Sequence, residues 1–250
     1  MALKLLCLPC AGASATMYLR WRRLLPRWIE IVPVELPGRG SRLGEHFVED
    51  FGTLADRLCD EQAAVMRGSS GGPQAFALFG HSMGALLAHG MAQRLRERGE
   101  RLPRALIVSG SAAPSRRDTS RLQQALGDDQ ALAADLRRQG GTPDEVFDNA
   151  ELLRLTLDVL GADYRVCDSY RHVPRPPLPV PVHVFAGRQD EIAPDRLAAW
   201  SLESEAPATL DWFDGGHFFV RQQEGAVLTA LARHLSAVGA PARAAPGAFA

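Results

Sequence analysis

The chain has 250 residues, of which 46% are hydrophobic and 23% are charged, and its formal net charge is −1. These proportions are ordinary for a globular protein and leave no global field that would favour nucleic acid or an acidic membrane. No apolar run reaches the length of a bilayer span, and the apolar stretch before Pro9 is too short for a signal peptide. We therefore expect a cytoplasmic protein.

The first part of the chain alternates between predicted strands and helices. Residues 3–8 form an apolar run that predicts a buried strand, and a loop of small residues follows over 9–15. The next elements are a helix over 17–25, a strand over 29–36, a helix over 50–66 and a flexible loop over 68–73.

Cys7 and Cys10 form a C-x-x-C pair at the start of the chain. The sequence offers no second pair or clustered histidines as zinc ligands, and no helix begins there as a redox motif requires. Four cysteines in a chain of this length also do not make a disulfide framework. We interpret the pair as one cysteine in a strand and one in the loop after it.

The stretch Gly80-His81-Ser82-Met83-Gly84 follows an apolar strand that ends at Phe79 and precedes an apolar helix. This context fits the G-x-S-x-G turn that exposes a serine at the top of an α/β-hydrolase sheet. The two glycines allow strand and helix to pack closely around a strained turn. The pattern indicates acyl transfer through an ester of Ser82.

A further strand is predicted over 105–109, and then the alternation stops. Residues 115–160 contain only helical segments, over 120–126, over 128–139 and from Thr142 onwards. Thr142 and Glu145 predict a capping box with Pro143 at the first helical position. We interpret residues 115–160 as a helical lid over the edge of the sheet where open sheets bind ligands. Helices that merely pack on the sheet are the alternative.

The last part of the chain restores the alternation with strands over 182–186 and 210–213 and helices over 195–203 and 225–235. Together the elements predict an α/β-hydrolase fold with a mostly parallel central sheet, helices on both faces and a helical lid insertion. The predicted core comprises residues 1–114 and 161–238, and residues 239–250, almost all Ala, Pro and Gly, predict a disordered tail.

A serine nucleophile needs a base and an acid, and in this fold they follow it in the order acid, then histidine. His217 stands in a glycine-flexible loop just past the last strand, so it is the predicted base. Asp190 follows the strand that ends at Ala186 and is the predicted acid, with Glu191 and Asp163 as rivals.

The oxyanion of a tetrahedral intermediate needs two preset N–H donors. One is predicted to be the backbone N–H of Met83, which follows the nucleophile. The other is predicted to come from the small-residue loop after the first strand, with Ala11 preferred and Cys10 possible.

Over nearly its whole length the chain resembles the stand-alone type II thioesterases that accompany nonribosomal peptide and polyketide synthases. The motifs that carry the resemblance are the loop 8–14, the Pro-Gly-Arg stretch within 35–42, the serine turn 80–85, Ala162-Asp163-Tyr164, Gly187-Arg188-Gln189-Asp190 and Gly215-Gly216-His217-Phe218-Phe219. The sequence departs from the family pattern at Cys10, Ala13 and Gly161.

The resemblance implies that the protein removes stalled or wrongly loaded acyl groups from the phosphopantetheine thiol of carrier domains. It implies Ser82, Asp190 and His217 as the triad, and no cofactor or metal, because the substrate itself carries phosphopantetheine. We expect a monomer. Arginines suggested for docking an acidic carrier domain are Arg20, Arg22, Arg23, Arg39 and Arg42, although solvated or paired side chains are as good an interpretation.

Three other functions fit the same residues. A general carboxylesterase or lipase would use the same triad on a small oxyester. An acyltransferase would pass the acyl group to an alcohol or amine in place of water. A catalytically inactive module that only binds carrier domains is the non-enzyme alternative, and a complete triad argues against it.

Overall fold

A computed structural model describes residues 2–68 and 75–239 and contains one six-stranded parallel sheet in the order β2-β1-β3-β4-β5-β6. The strands are β1 (Leu3–Leu8), β2 (Ile29–Pro33), β3 (Phe76–His81), β4 (Leu106–Ser109), β5 (Val182–Gly187) and β6 (Thr209–Phe213). All six predicted strands are confirmed, although β2 ends earlier than predicted. Most of the predicted loop over 68–73 and of the tail over 239–250 lies outside the described residues.

Helices connect the strands on both faces of the sheet. They are α1 (Trp21–Leu24), α2 (Phe51–Arg67), α3 (Met83–Glu97), α4 (Ser120–Ala125), α5 (Asp129–Gln139), α6 (Asp144–Asp148), α7 (Ala150–Ser169), α8 (Pro194–Ala198), α9 (Phe219–Gln222) and α10 (Glu224–Gly239). Within the described ranges, no helix combines the length and apolar character needed to cross a membrane.

Three details of the predicted helices are wrong. The single helix predicted over 17–25 is a 3₁₀ turn over Ala15–Tyr18 followed by the short helix α1. The helix predicted over 195–203 is the short helix α8 followed by a 3₁₀ turn over Ala199–Glu203. The predicted capping box does not form, because Pro143 itself occupies the cap position of α6 with an extended ψ of 147°, and no side chain caps that helix. Helix α6 therefore begins one residue later than predicted.

Alternate residues of each strand face two separate apolar layers. In β1, Leu6 and Leu8 belong to the layer beneath α2 and α3, whereas Leu5 and Cys7 belong to the layer covered by α1 and α10. This alternation is the pattern of a parallel sheet that is buried on both faces. All six strands run in the same direction, so their carboxyl ends meet at one edge of the sheet.

Helices α4 to α7 form a helical insertion between β4 and β5, at the position predicted from the sequence. They enclose a small apolar cluster of their own that includes Leu132, Leu136, Leu157 and Leu160. The predicted boundary at residue 160 falls inside α7, which continues to Ser169.

Gly84 is the second residue of α3 and lies against the loop after β1. A Cβ at this position would be 2.2 Å from the Leu8 carbonyl oxygen and 2.7 Å from that of Pro9. We expect Gly84→Ala to lower the free energy of unfolding by at least about 2 kcal/mol, because backbone atoms must move. Urea denaturation measures this.

Gly225 provides a matched control, since it is also the second residue of a helix, α10, and a Cβ there would meet no atom within 4 Å. We expect Gly225→Ala to leave stability unchanged or to raise it by up to about 1 kcal/mol. Equal effects of the two substitutions would contradict the close packing at Gly84.

Candidate active site

Ser82 lies between β3 and α3 in a strained conformation. Its φ of 54° and ψ of −115° make it the one non-glycine residue with positive φ in the described ranges. Such backbone strain costs roughly 1–3 kcal/mol and persists where the surroundings hold it. The Ser82 N–H donates to the Ser109 carbonyl at 2.8 Å, which ties the turn to the end of β4. The predicted strained turn is therefore present.

His217 and Asp190 form a hydrogen-bonded pair at the same edge of the sheet. The distance between His217 Nδ1 and Asp190 Oδ2 is 3.0 Å, and the side chains are 17% and 7% exposed. A carboxylate can only accept, so Nδ1 carries a proton, and in the neutral imidazole Nε2 then has a lone pair. An imidazole in this tautomer can act as a general base.

The loops that carry the two residues are joined through their backbones. Arg188 N–H donates to the Phe213 carbonyl at 2.8 Å, and Gln189 N–H donates to the Gly215 carbonyl at 3.0 Å. Gly187 is needed for this approach, because a Cβ there would lie 2.6 Å from the carbonyl oxygens of Gly215 and Gly216. The contact between acid and base therefore depends on the pairing of β5 with β6.

All five residues predicted for the site line one pocket of about 480 Å³: Ala11, Ser82, Met83, Asp190 and His217. Ser82 Oγ does not form a hydrogen bond with His217 in this structure. Such contacts are often long in an unliganded enzyme and tighten when substrate binds. Helices α4, α5 and α7 also contribute to the wall through side chains that include Leu122, Gln139 and Tyr164.

Two backbone N–H groups at this pocket are free to bind an oxyanion. In the part of the chain that the structure describes, neither the Ala11 N–H nor the Met83 N–H has an acceptor. Met83 is the first residue of α3, so the positive end of the helix dipole strengthens the attraction of its N–H for negative charge. The Gly12 N–H donates to Asp163 and is therefore not available to an oxyanion. Cys10 also lines the pocket, so its backbone N–H remains the alternative donor.

The two rival acids are engaged elsewhere. Asp163 forms a buried ion pair with Arg39. Glu191 is exposed and accepts from Arg121 and Arg138 of the helical insertion. Among the described carboxylates, Asp190 is the one that contacts the His217 ring.

His81 is a neighbour of the site that the sequence analysis did not identify. Its buried ring lies 5.0 Å from the His217 ring between centroids, and its Nδ1 is 3.0 Å from Ser109 Oγ. Burial lowers the pKa of His81 well below its ordinary value, so this ring is neutral at physiological pH. His81 ends β3 and directly precedes Ser82 in the sequence, but its contact with His217 joins residues far apart in the chain.

The suggested role in carrier docking is wrong for two of the arginines, Arg39 and Arg42. Arg39 is buried with Asp163, and Arg42 is held by Glu45 and Glu61 through four charge-assisted hydrogen bonds. Neither guanidinium is available to a partner. Both guanidinium groups are occupied by acidic residues that lie close to them in the fold. The spacing of the arginines along the chain does not show these contacts.

Cys10 lines the pocket, and as predicted Cys7 lies in β1 and Cys10 in the loop after it. Burial raises the pKa of the Cys10 thiol to about 12 and also raises the pKa values of the other three cysteines. At pH 8 fewer than about one Cys10 thiol in a thousand is therefore ionised.

We expect iodoacetamide at pH 8 to inactivate the protein at least about 100-fold more slowly than it alkylates free cysteine, with the rate rising as pH rises toward 12. A fluorophosphonate that reacts with serine should inactivate it promptly. Residual hydrolysis of an aryl acetate measures both rates. Rapid loss of activity with iodoacetamide would contradict the raised pKa of the Cys10 thiol.

Residues 3–238 match the thioesterase domain family, and the chain belongs to this family. Thioesterase PikA5 of Streptomyces venezuelae is 36% identical over 242 residues, which are 96% of this chain and 84% of that protein. The thioesterase RedJ from the prodiginine pathway of Streptomyces coelicolor has a TM-score of 0.84 at 35% identity, covering 93% of this chain and 90% of its own. The type II thioesterase BorB from the borrelidin biosynthetic cluster has a TM-score of 0.80 at 39% identity. The match covers 94% of this chain and 93% of the BorB chain.

These similarities extend over almost the whole chain and include the helical insertion. The predicted fold class, an α/β-hydrolase fold with a mostly parallel central sheet, is confirmed by the strand order and by these structural neighbours. The predicted resemblance to type II thioesterases is confirmed as well.

Proposed function

We propose that this protein is a type II thioesterase that hydrolyses stalled or wrongly loaded acyl groups from the phosphopantetheine arm of carrier domains. The assembly line it serves makes a nonribosomal peptide or a polyketide. The observation that carries the proposal is one pocket lined by a serine on a strained turn and by a hydrogen-bonded histidine–aspartate pair. Similarity to BorB, named as a type II thioesterase, supports the substrate class.

In the first half of the proposed reaction, His217 Nε2 takes the proton of Ser82 Oγ as that oxygen attacks the thioester carbonyl carbon. Asp190 stabilises the imidazolium that forms. The Ala11 and Met83 N–H groups bind the oxyanion. The carbon–sulfur bond then breaks, the pantetheine sulfur takes the proton from His217, and the acyl group stays on Ser82.

In the second half, His217 Nε2 takes a proton from water as the water oxygen attacks the acyl-serine carbonyl. A second tetrahedral intermediate forms at the same N–H donors. The bond to Ser82 Oγ breaks, the serine recovers its proton from His217, and a carboxylic acid leaves. Acid assistance matters less in the first half than in the cleavage of an amide, because the thiolate that leaves there is already a good leaving group.

We further infer that the helical insertion serves as a lid, since its side chains line the pocket beside the catalytic residues. A pocket of about 480 Å³ has room for a short acyl group and part of the slender pantetheine arm. We also infer a monomer that works in the cytoplasm. Free thiols at all four cysteines fit a reducing compartment.

Hydrolysis of an acetyl group from a phosphopantetheinylated carrier protein tests the function directly. We expect the carrier substrate to exceed acetyl-pantetheine and an aryl acetate in kcat/KM, because carrier contacts add binding energy that small substrates lack. Comparable kcat/KM on the aryl ester with no turnover of the carrier substrate would identify a general esterase. Transfer to an added alcohol in preference to water would identify an acyltransferase.

A further inference from the structure

Two motifs that the proposed mechanism does not use meet in a buried ion pair. Arg39, from the Pro-Gly-Arg stretch after β2, places Nη2 2.6 Å from Asp163 Oδ1, and its Nη1 contacts Asp163 Oδ2. The two side chains are 6% and 1% exposed. Since Asp163 lies in α7, the pair joins the helical insertion to the edge of the sheet.

The same pair holds the loop that follows β1. Asp163 Oδ2 accepts the Gly12 N–H at 2.8 Å, and Arg39 Nη1 contacts the Ala13 carbonyl oxygen at 3.5 Å. These two loop residues directly follow Ala11, which lines the pocket and whose N–H has no acceptor among the described residues. The carboxylate therefore fixes the peptide next to the proposed oxyanion donor.

Apart from this pair, the loop is held by Ala11, which packs against two apolar clusters, and by the Ala13 N–H, which donates to the Cys10 carbonyl at 3.2 Å. Residues 11–13 read Ala-Gly-Ala, so their side chains are small, and Gly12 has a φ of 75°. An oxyanion donor is effective only when its N–H is preset at the position where negative charge develops. Small side chains allow the backbone to approach the substrate, but they leave its position to outside contacts.

A buried ion pair contributes little net stability, because the cost of removing two charges from water offsets most of their attraction. The hydrogen bonds of this pair to the loop give it a second role. We infer that Arg39 and Asp163 are positioning residues that hold the Ala11 N–H in the oxyanion hole. This inference rests on the proposed function of that N–H.

The decisive variant is the double substitution Arg39→Met/Asp163→Leu. It removes both charges together, so no unpaired charge is left buried and the fold is expected to stay close to wild type in stability. The Gly12 N–H loses its acceptor. We expect kcat for an aryl acetate to fall roughly 10- to 100-fold with KM within about twofold, measured well below the melting temperature.

A single variant keeps the test decisive if the double variant folds poorly. Arg39→Lys retains the positive charge beside Asp163, so no buried charge is left unpaired, but it loses the paired contacts of the guanidinium. We expect kcat to fall between wild type and the double variant, again with KM nearly constant.

Glu203→Gln is the matched control, because Glu203 is a buried carboxylate that pairs with His89 at 3.2 Å outside the pocket. We expect this substitution to lower the melting temperature and to leave kcat within about twofold. Wild-type kcat in a folded double variant, or an equal loss of kcat in the Glu203 variant, would overturn the positioning role.

The aryl acetate separates this inference from the proposed function, since the oxyanion hole serves any acyl group. A wild-type protein that hydrolyses the aryl ester but ignores the acyl-carrier substrate would refute the thioesterase proposal alone. The effect of the double variant on the aryl ester would still decide the role of Arg39 and Asp163.

Discussion

Ser82→Ala is expected to reduce kcat for every acyl substrate by roughly 10⁶-fold, because the acyl-enzyme has no oxygen on which to form. The substitution keeps the Cβ, so the turn between β3 and α3 and the melting temperature are expected to stay unchanged. Binding of a non-hydrolysable acyl-pantetheine amide, measured by calorimetry, is expected to remain within about twofold of wild type, because the pocket walls are intact.

Ser236→Ala is a suitable control for this result, since Ser236 is an exposed serine on α10 whose hydroxyl donates to the Arg233 carbonyl at 2.7 Å. We expect full activity in that variant. Substantial turnover by the Ser82 variant would refute the acyl-enzyme mechanism. Mass spectrometry of the intact wild-type protein during turnover gives a second measurement, an added acyl mass that the Ser82 variant lacks.

The second large effect is expected from Asp190→Asn, with a loss of roughly 10⁴-fold in kcat near neutral pH. An asparagine amide can donate to Nδ1 of His217 and so favours the tautomer whose Nε2 carries a proton. That ring cannot accept the proton of the serine hydroxyl. Hydrolysis of an aryl acetate measures the loss, and circular dichroism checks that the fold is retained.

Glu191→Gln is the matched control for Asp190, because it changes the neighbouring acid in the same loop. Glu191 accepts from two arginines of the helical insertion and does not contact His217. We expect kcat within about threefold of wild type. A loss in the Glu191 variant as large as that of Asp190→Asn would show that the loop as a whole, and not the Asp190 carboxylate, orients the histidine.

Local patterns were enough to predict every strand of the sheet and the position of the helical insertion. Strand prediction succeeded because β1, β3, β4 and β5 are mostly apolar and buried on both faces, which leaves hydrophobic runs in the sequence. The edge strands β2 and β6 are only partly buried and carry Glu30 and Asp211. Helix ends were less predictable. At α6, Pro143 is the cap residue because its ψ of 147° is extended and not helical. The residue type alone does not decide this angle.

Chain order also selected the candidate residues of the site. Ser82, Asp190 and His217 each follow a strand of one parallel sheet, so the rule that carboxyl ends share an edge is sufficient to group them. The sequence ranked Asp190 first but could not exclude Asp163 and Glu191. That choice depends on which carboxylates find an arginine, and such contacts join residues far apart in the chain.

By itself, then, the sequence determined the class of fold, the serine turn and the short set of candidates, because these depend on local periodicity and on glycine at a tight turn. Only the tertiary structure decided that Arg39 is buried against Asp163, that His81 packs behind His217 and that the loop around Ala11 is held from α7. The physical reason is that burial and charge pairing are set by neighbours in space, and residues 12 and 163 become neighbours only when the helical insertion folds onto the sheet.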